Sequence, residues 1–371
     1  MKYLLFITGL FISINLFAQG SYAVSGAIVD ETGSPVIHAT VFISGTEKTT
    51  VSDDNGKFEF NAVGPGAYQV STMIMGYYPD KQNVIVKTAP IVLNIQLKVK
   101  SILLKNVVIG SGSNWDGFYK IFKSQFLGTS KNAEDCEILN PKVLSFNFNQ
   151  KTGLLTAEAD EFMIIQNKSL GYKIRYLLKD FQFNIASNTA IYDGDTNFEQ
   201  LNGSVGMKKN WDRNRLETYK GSFMHFLRSV YRNTALKEGF ITNRIYKTYL
   251  KPDNYLPMIS LDENPLKFDT VTSVIDTSFI RLNCNLIYVT YDPKKANALK
   301  VHSASTSARK EVEMDDIKSS VIKLTSAEAI IDNRGNYTDY RAFFIRGSLA
   351  AKRVGDQLPF EYQPPTTPIN P

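Results

Sequence analysis

Val24-Ser-Gly-Ala-Ile-Val-Asp30, Gly33-Ser-Pro-Val36, Ala39-Thr-Val-Phe-Ile43, Ser52-Asp-Asp-Asn-Gly56 and Gly66-Ala-Tyr68 follow one another near the start of the chain. Their reading decides how the N-terminal part folds. Val24, Gly26 and Ile28 recur at every second position, as do Val41 and Ile43, Phe58 and Phe60, Tyr68, Val70 and Thr72, and Ile91, Leu93, Ile95 and Leu97. A strand turns successive side chains to opposite faces, so this period predicts short strands with one buried face. Turn residues at Glu31–Pro35, Asp53–Gly56 and Gly64–Gly66 separate them. Short strands at this spacing predict a seven-stranded antiparallel β-sandwich over residues 22–105, its core one layer of inward side chains from each sheet. The acids of Asp53-Asp-Asn-Gly56 are those of a calcium loop, but Phe58-Glu-Phe60 resumes a strand at once. A calcium loop continues instead with spaced oxygen ligands and a closing Glu. The cluster therefore reads as a hairpin turn with Gly56 at positive φ.

These segments, with Phe58, Phe60 and Gly76-Tyr77, resemble the carboxypeptidase regulatory-like domain. The resemblance implies a transthyretin-like sandwich of the kind found beside metallocarboxypeptidases and at the N-termini of TonB-dependent outer-membrane receptors. It does not bring peptidase chemistry with it. Such an enzyme holds zinc with two His and a Glu, one His and the Glu three residues apart. Here the residues three after His38, His225 and His302 are Val41, Arg228 and Ser305, and those three before are Pro35, Ser222 and Leu299. No metal site or cofactor is expected. A receptor is not expected either, because the roughly 265 residues after the sandwich are too few for a plug and a long barrel.

Residues 1–18 carry one Lys, an apolar run from Leu4 to Phe17 and a small exit residue, Ala18. That is the pattern of a secretory signal peptide cleaved after Ala18. Ser13 and Asn15 interrupt the run, which is short of the ~20 residues that cross a bilayer, and no later stretch supplies a transmembrane helix. The expectation is an exported protein of a Gram-negative cell: periplasmic, peripheral to the outer membrane, or secreted. An oxidising compartment permits Cys136 and Cys284 to form a disulfide, although Cys284 sits in the alternating run Ile280, Leu282, Cys284, Leu286 as a small buried residue would. The composition, 43% hydrophobic and 21% charged, excludes a disordered or collagen-like chain, and 12% aromatics favour β-rich packing. A net charge of +6 bears on solubility more than on partners.

The remainder, 113–363, reads as α+β, one domain or two, with a Pro-rich tail at 364–371. Trp115, Phe118, Tyr119, Phe122 and Phe126 mark one face of a first helix, capped by Ser113 or Asn114 and ended by Gly128, and read as core packing. An antiparallel meander of five strands follows from residue 143 to Tyr192. A second prominent helix is expected over 208–234 with Asn210 as its cap and Tyr219, Phe223, Phe226 and Val230 inward. Strands are expected again around 239–247, 271–291, 319–332 and 337–350, the last two joined through Asn333–Asn336. Cys136–Pro141, Ile165–Tyr172, Trp211–Arg215, Tyr219–Ser222, His225–Arg228 and Leu358–Tyr362 resemble the body of exported envelope proteins named only for their N-terminal domain, which implies no activity.

The densest set of reactive side chains is Trp211, Asp212, Arg213, Arg215, Tyr219, Ser222, His225 and Arg228. On one helix, Ser222 and His225 come within reach of each other, and Asp212 could orient the base, as acyl transfer requires. Ser222 lacks the G-x-S-x-G elbow, however, and a His between Phe223 and Phe226 more often packs than reacts. Trp211, Arg213, Arg215, Tyr219 and Arg228 could instead hold a carboxylate, a phosphate or an acidic sugar. No phosphate-binding glycine loop is present, and export argues against nucleic acid. The leading expectation is a non-catalytic cell-envelope protein whose sandwich is an interaction or spacer module, with an envelope protein or a glycan as partner. A hydrolase centred on Ser222 and His225 and a carbohydrate-binding protein are the alternatives.

Overall fold

A computed structural model describes residues 20–100, 114–249, 258–299, 308–314, 317–337, 339 and 342–365. The expected leader and all but the first two residues of the expected tail lie outside them. The molecule is mainly β. Alternation builds the sandwich from β1 (Tyr22–Val29), β2 (Thr40–Ile43), β3 (Thr49–Val51), β4 (Lys57–Val63), β5 (Gly66–Met73), β6 (Asp80–Val86) and β7 (Ile91–Gln96). They form a three-stranded sheet, β4-β1-β7, facing a four-stranded one, β3-β2-β5-β6. One pair departs from the antiparallel rule: β1 and β7 run parallel, Val24 opposite Ile91 through Val29 opposite Gln96. Val24, Ile28, Val41, Ile43, Phe58, Phe60, Val70 and Ile95 close the core between the sheets. At the Asp53 turn, the carboxylate accepts from the Asn55 and Lys57 N–H groups at 2.9 and 2.7 Å, and Gly56 takes φ +72 as expected.

Beyond the sandwich, α1 (Trp115–Leu127) is capped by the Asn114 side chain and ends at Gly128, and a single turn, α2 (Lys131–Glu134), follows with Ser130 as its cap. Phe122 and Phe126 of α1 pack on Phe181 and Tyr176, with ring centroids 4.7 and 4.8 Å apart. These rings top a sheet built from β8 (Cys136–Ile138), β9 (Leu144–Asn149), β10 (Leu154–Ala159), β11 (Met163–Asn167), β12 (Tyr172–Asn184) and β13 (Thr189–Gln200). The meander closes in a way that periodicity does not reveal. Strand β12 is long enough to take β11 on its first half and β10 on its second along one edge, while β13 follows the other edge throughout.

The expected helix over 208–234 is two helices, α3 (Val205–Tyr219) and α4 (Phe223–Tyr231). The cap of α3 is Ser204 rather than Asn210, which lies inside the helix, and Ser222 caps α4. The break falls at Lys220-Gly221, where Gly221 takes φ +64, a conformation that costs an L side chain about 1–2 kcal/mol. A second six-stranded sheet follows in the order β19-β15-β14-β18-β20-β22, from β14 (Phe240–Tyr249), β15 (Met258–Asp262), β18 (Leu286–Tyr291), β19 (Arg309–Glu313), β20 (Ser319–Leu324) and β22 (Phe343–Gly347). Strands β16 (Thr272–Val274), β17 (Phe279–Leu282) and β21 (Ala329–Asp332) make a small sheet beside it. The hairpin expected around Asn333–Asn336 reduces to one bridge, Ile331 to Tyr337, because β22 pairs with β20 instead. Among the described residues no helix is long and apolar enough to cross a membrane.

Cys136 and Cys284 do not form the disulfide that export permits. They are buried free thiols in two different cores, one under α1 and one under α4. Burial pushes the Cys136 thiol up to about 12 and raises that of Cys284 as well. A thiol-exchange reagent should therefore modify neither in the native protein and both once it is unfolded. Fast reaction of either under native conditions would refute this placement.

Candidate functional site

Helix α3 lands on the turn between β11 and β12 and binds four successive carbonyls. The Trp211 indole donates to Lys168 at 2.9 Å, Asn214 to Ser169 at 2.9 Å, and Arg215 to Leu170 at 2.8 Å and to Gly171 at 3.3 Å. The Arg215 guanidinium also lies 4.0 Å from the Tyr172 ring centre. A Cβ on Gly171 would sit 2.2 Å from the Trp211 ring, so only glycine lets the indole approach. Both Trp211 and Arg215 are buried, whereas Asp212 and Arg213 face solvent, the latter bonded to Asn210. Tyr219, Arg228 and His225 come together under the next turn, with Tyr219 and His225 ring centres 4.7 Å apart.

Ser222 and His225 are neighbours without being a nucleophile and its base. The Ser222 hydroxyl accepts the His225 backbone N–H at 3.1 Å as the α4 cap. The His225 ring is occupied on both sides: Nδ1 accepts the Gly221 N–H at 3.1 Å, and Nε2 meets Glu238 at 3.1 Å. Neither nitrogen is left to take a proton from Ser222. Replacing Ser222 with alanine should cost the fold about 1 kcal/mol, the usual worth of such a cap, read as a shifted denaturation midpoint.

Arg228 is 1% exposed and donates with three nitrogens to carbonyls: Nε to Arg334 at 2.8 Å, Nη1 to Tyr362 at 2.8 Å and Nη2 to Phe360 at 3.1 Å. Both segments that it holds then reach the sandwich. Arg334 and Asn336 donate to the Ala67 carbonyl at 2.6 and 3.0 Å, and the Arg334 guanidinium stacks 3.8 Å from the Tyr68 ring centre. The Phe360 N–H donates to the Gly45 carbonyl at 2.9 Å.

A second polar cluster fixes the same junction from β13. Asp195, 2% exposed, accepts from Ser44 at 3.2 Å and Ser71 at 2.9 Å and pairs with Lys179. Beside it Gly45 donates to Thr196 at 2.7 Å, Phe198 to Thr46 at 2.9 Å, and Phe42 packs on Phe162. Phe42, Ser71 and Thr72 are all fully buried, so the middle strands of the four-stranded sheet, β2 and β5, are covered on both faces. None of Asp195, Lys179 or Arg334 stands out in the sequence. The one hint is Asp193-Gly-Asp195, two acids within a strand. Among the described residues no three His, Cys, Asp or Glu side chains gather as a metal site.

Residues 24–109 match the model of the CarboxypepD_reg-like domain family. The sandwich is a CarboxypepD_reg-like domain. A stretch of 106 residues is also 36% identical to the TonB-dependent receptor SusC of Bacteroides thetaiotaomicron. It covers 29% of this chain and 10% of the receptor, so the chain spans about a tenth of that relative's length. Among solved structures, a type II cohesin–X-dockerin complex of Acetivibrio cellulolyticus is similar over 29% of this chain and 76% of that one, at 28% identity and TM-score 0.20. A putative carbohydrate binding protein of Bacteroides uniformis is similar over 82% of this chain and 99% of that one, at 12% identity and TM-score 0.19. A DUF3823 family protein of Bacteroides ovatus covers 50% of this chain and 83% of its own, at 11% identity and TM-score 0.19.

Proposed function

We propose that this chain is an exported, non-catalytic protein of the cell envelope, in which the CarboxypepD_reg-like domain is a firmly seated module on an α+β body that engages an envelope protein or glycan. The observation that carries the reading is the seat itself. One face of the domain is taken up within the chain by Asp195, Arg334 and Phe360, as suits a rigid spacer or binding scaffold. That leaves the outer face of β4-β1-β7 for a partner, with a shallow depression of about 540 Å³ lined by residues that include Ser25, Ala27, Lys57, Glu59, Val92 and Asn94. The leader-like N-terminus and the kinship of the domain with SusC support an envelope location. The structural bonds of Ser222 and His225 weigh against a hydrolase there.

Cell fractionation with N-terminal sequencing tests the reading. Cleavage after Ala18 and recovery from the envelope or medium are expected. Intact, unprocessed chain in the cytosol would overturn it, as would hydrolysis of an ester, peptide or glycan that disappears in both Ser222→Ala and His225→Ala.

A further inference from the structure

The corner between α3 and α4 depends on a histidine that stays neutral. Because the Gly221 N–H donates to His225 Nδ1, that nitrogen must present its lone pair, and the single ring proton sits on Nε2 facing Glu238. A second proton on the ring would put an N–H at Nδ1 against the N–H of Gly221. Two donors would then face each other and the bond would be lost. Every element around the ring contributes a charged or titratable group. Tyr219 comes from α3, Arg228 and Arg232 from α4 and its end, Tyr291 from β18, and Glu238 from the segment before β14, which also lays Phe240 against the ring. Burial pushes the imidazole below its usual 6.5, in spite of the opposing pull of Glu238. Burial also pulls Glu238 up, but the Thr234 hydroxyl and Arg232 outweigh it and hold that carboxyl below its usual value.

The corner is mechanically connected to the junction. Lys352 ties down its α3 side by donating to the Thr218 and Lys220 carbonyls at 2.7 and 2.9 Å. On its α4 side, one turn beyond His225, Arg228 holds the two segments that seat the CarboxypepD_reg-like domain through Ala67 and Gly45. We propose that His225 is an acid-sensitive latch: its protonation frees the Gly221 amide, lets α4 shift, and loosens the seat of the N-terminal domain. This goes beyond the envelope reading and does not depend on it.

The sign follows from proton binding. The native ring holds a proton less readily than an unfolded histidine, so the latch is fully present above the ordinary value of 6.5 and is lost as pH falls from there toward the native value. Amide hydrogen exchange on the full chain from pH 7.5 to 5.0, corrected for intrinsic rates, reads it out. Protection at Gly221 is expected to fall about tenfold or more, with a parallel loss in the peptides that carry Gly45 and Ala67. In His225→Asn an amide oxygen takes the place of Nδ1 and cannot titrate, so its protection should be independent of pH. In Glu238→Gln the imidazolium loses its carboxylate, so the opening midpoint should move to lower pH. The latch is refuted if Gly221 protection in the natural protein does not change with pH. It is equally refuted if His225→Asn keeps the natural pH profile or the midpoint stays fixed in Glu238→Gln. Opening at Gly221 without change at Gly45 and Ala67 would refute the connection to the junction.

Discussion

Asp195→Ala is expected to unseat the CarboxypepD_reg-like domain, at a cost of about 2–4 kcal/mol to its docking, as two hydroxyls and a partly exposed ammonium lose their acceptor. The carboxylate is almost wholly buried and satisfies groups from both sides at once: the Ser44 and Ser71 hydroxyls from the domain and the Lys179 ammonium from β12. Truncation leaves that ammonium, 25% exposed, without its partner and next to Lys81. Burial already draws the Lys179 amine below its usual range, and the nearby Asp195 charge is what opposes the shift. Calorimetry should show the domain melting apart from the body in the variant, where the natural protein melts them together. Adding Lys179→Met should restore part of the loss, since it removes the ammonium left beside Lys81 without its carboxylate. If the single variant keeps one transition within about 1 kcal/mol of the natural protein, surface-like screening governs the pair and the seat rests on Phe42, Phe162 and the Gly45–Thr46 backbone bonds.

What the sequence reveals and what it hides divide along contact distance. The sandwich is legible because each of its signals is local. Alternation assigns the faces, and Asp53-Asp-Asn-Gly56 reverses the chain where its carboxylate can bind its own backbone. The parallel pairing of β1 with β7 joins residues about seventy positions apart, and no local pattern encodes it. The same applies to β12, whose one edge is shared by β10 and β11.

The candidate site is hard to read for a related reason. Tyr219, Phe223, Phe226 and Val230 keep helical spacing across the break at Gly221, so apolar periodicity runs two helices together. On a single helix, Ser222 followed three residues later by His225 has the spacing of a reactive pair. It is the start of α4, and a hydroxyl one residue before a helix is the ordinary sign of a cap. The partners of Arg215 and Arg228 are main-chain carbonyls, which carry no sequence signature, so a linear reading supplies the donors without the acceptors.

Arg228→Met tests how much of the fold hangs on such carbonyls. Methionine fills most of the volume and stays apolar, so packing loss is small. What remains is the cost of three carbonyls, those of Arg334, Phe360 and Tyr362, stripped of their donors in a site where Arg228 itself is 1% exposed. At about 1–3 kcal/mol for each unsatisfied buried group, with some recovery by relaxation, the expected loss is about 3–5 kcal/mol in chemical denaturation. Lysine is expected to recover less than half, because an ammonium has neither the reach nor the planar fork to satisfy carbonyls in three directions. The loss should spread beyond α4. With the Arg334 carbonyl released, the side chain of Arg334 loses the footing from which it grips Ala67 and stacks on Tyr68, so exchange should quicken in β5 as well as around Phe360. A variant within about 1 kcal/mol of the natural protein would mean that water replaces the guanidinium at all three oxygens. In that case Arg228 fills space at the junction without holding it together.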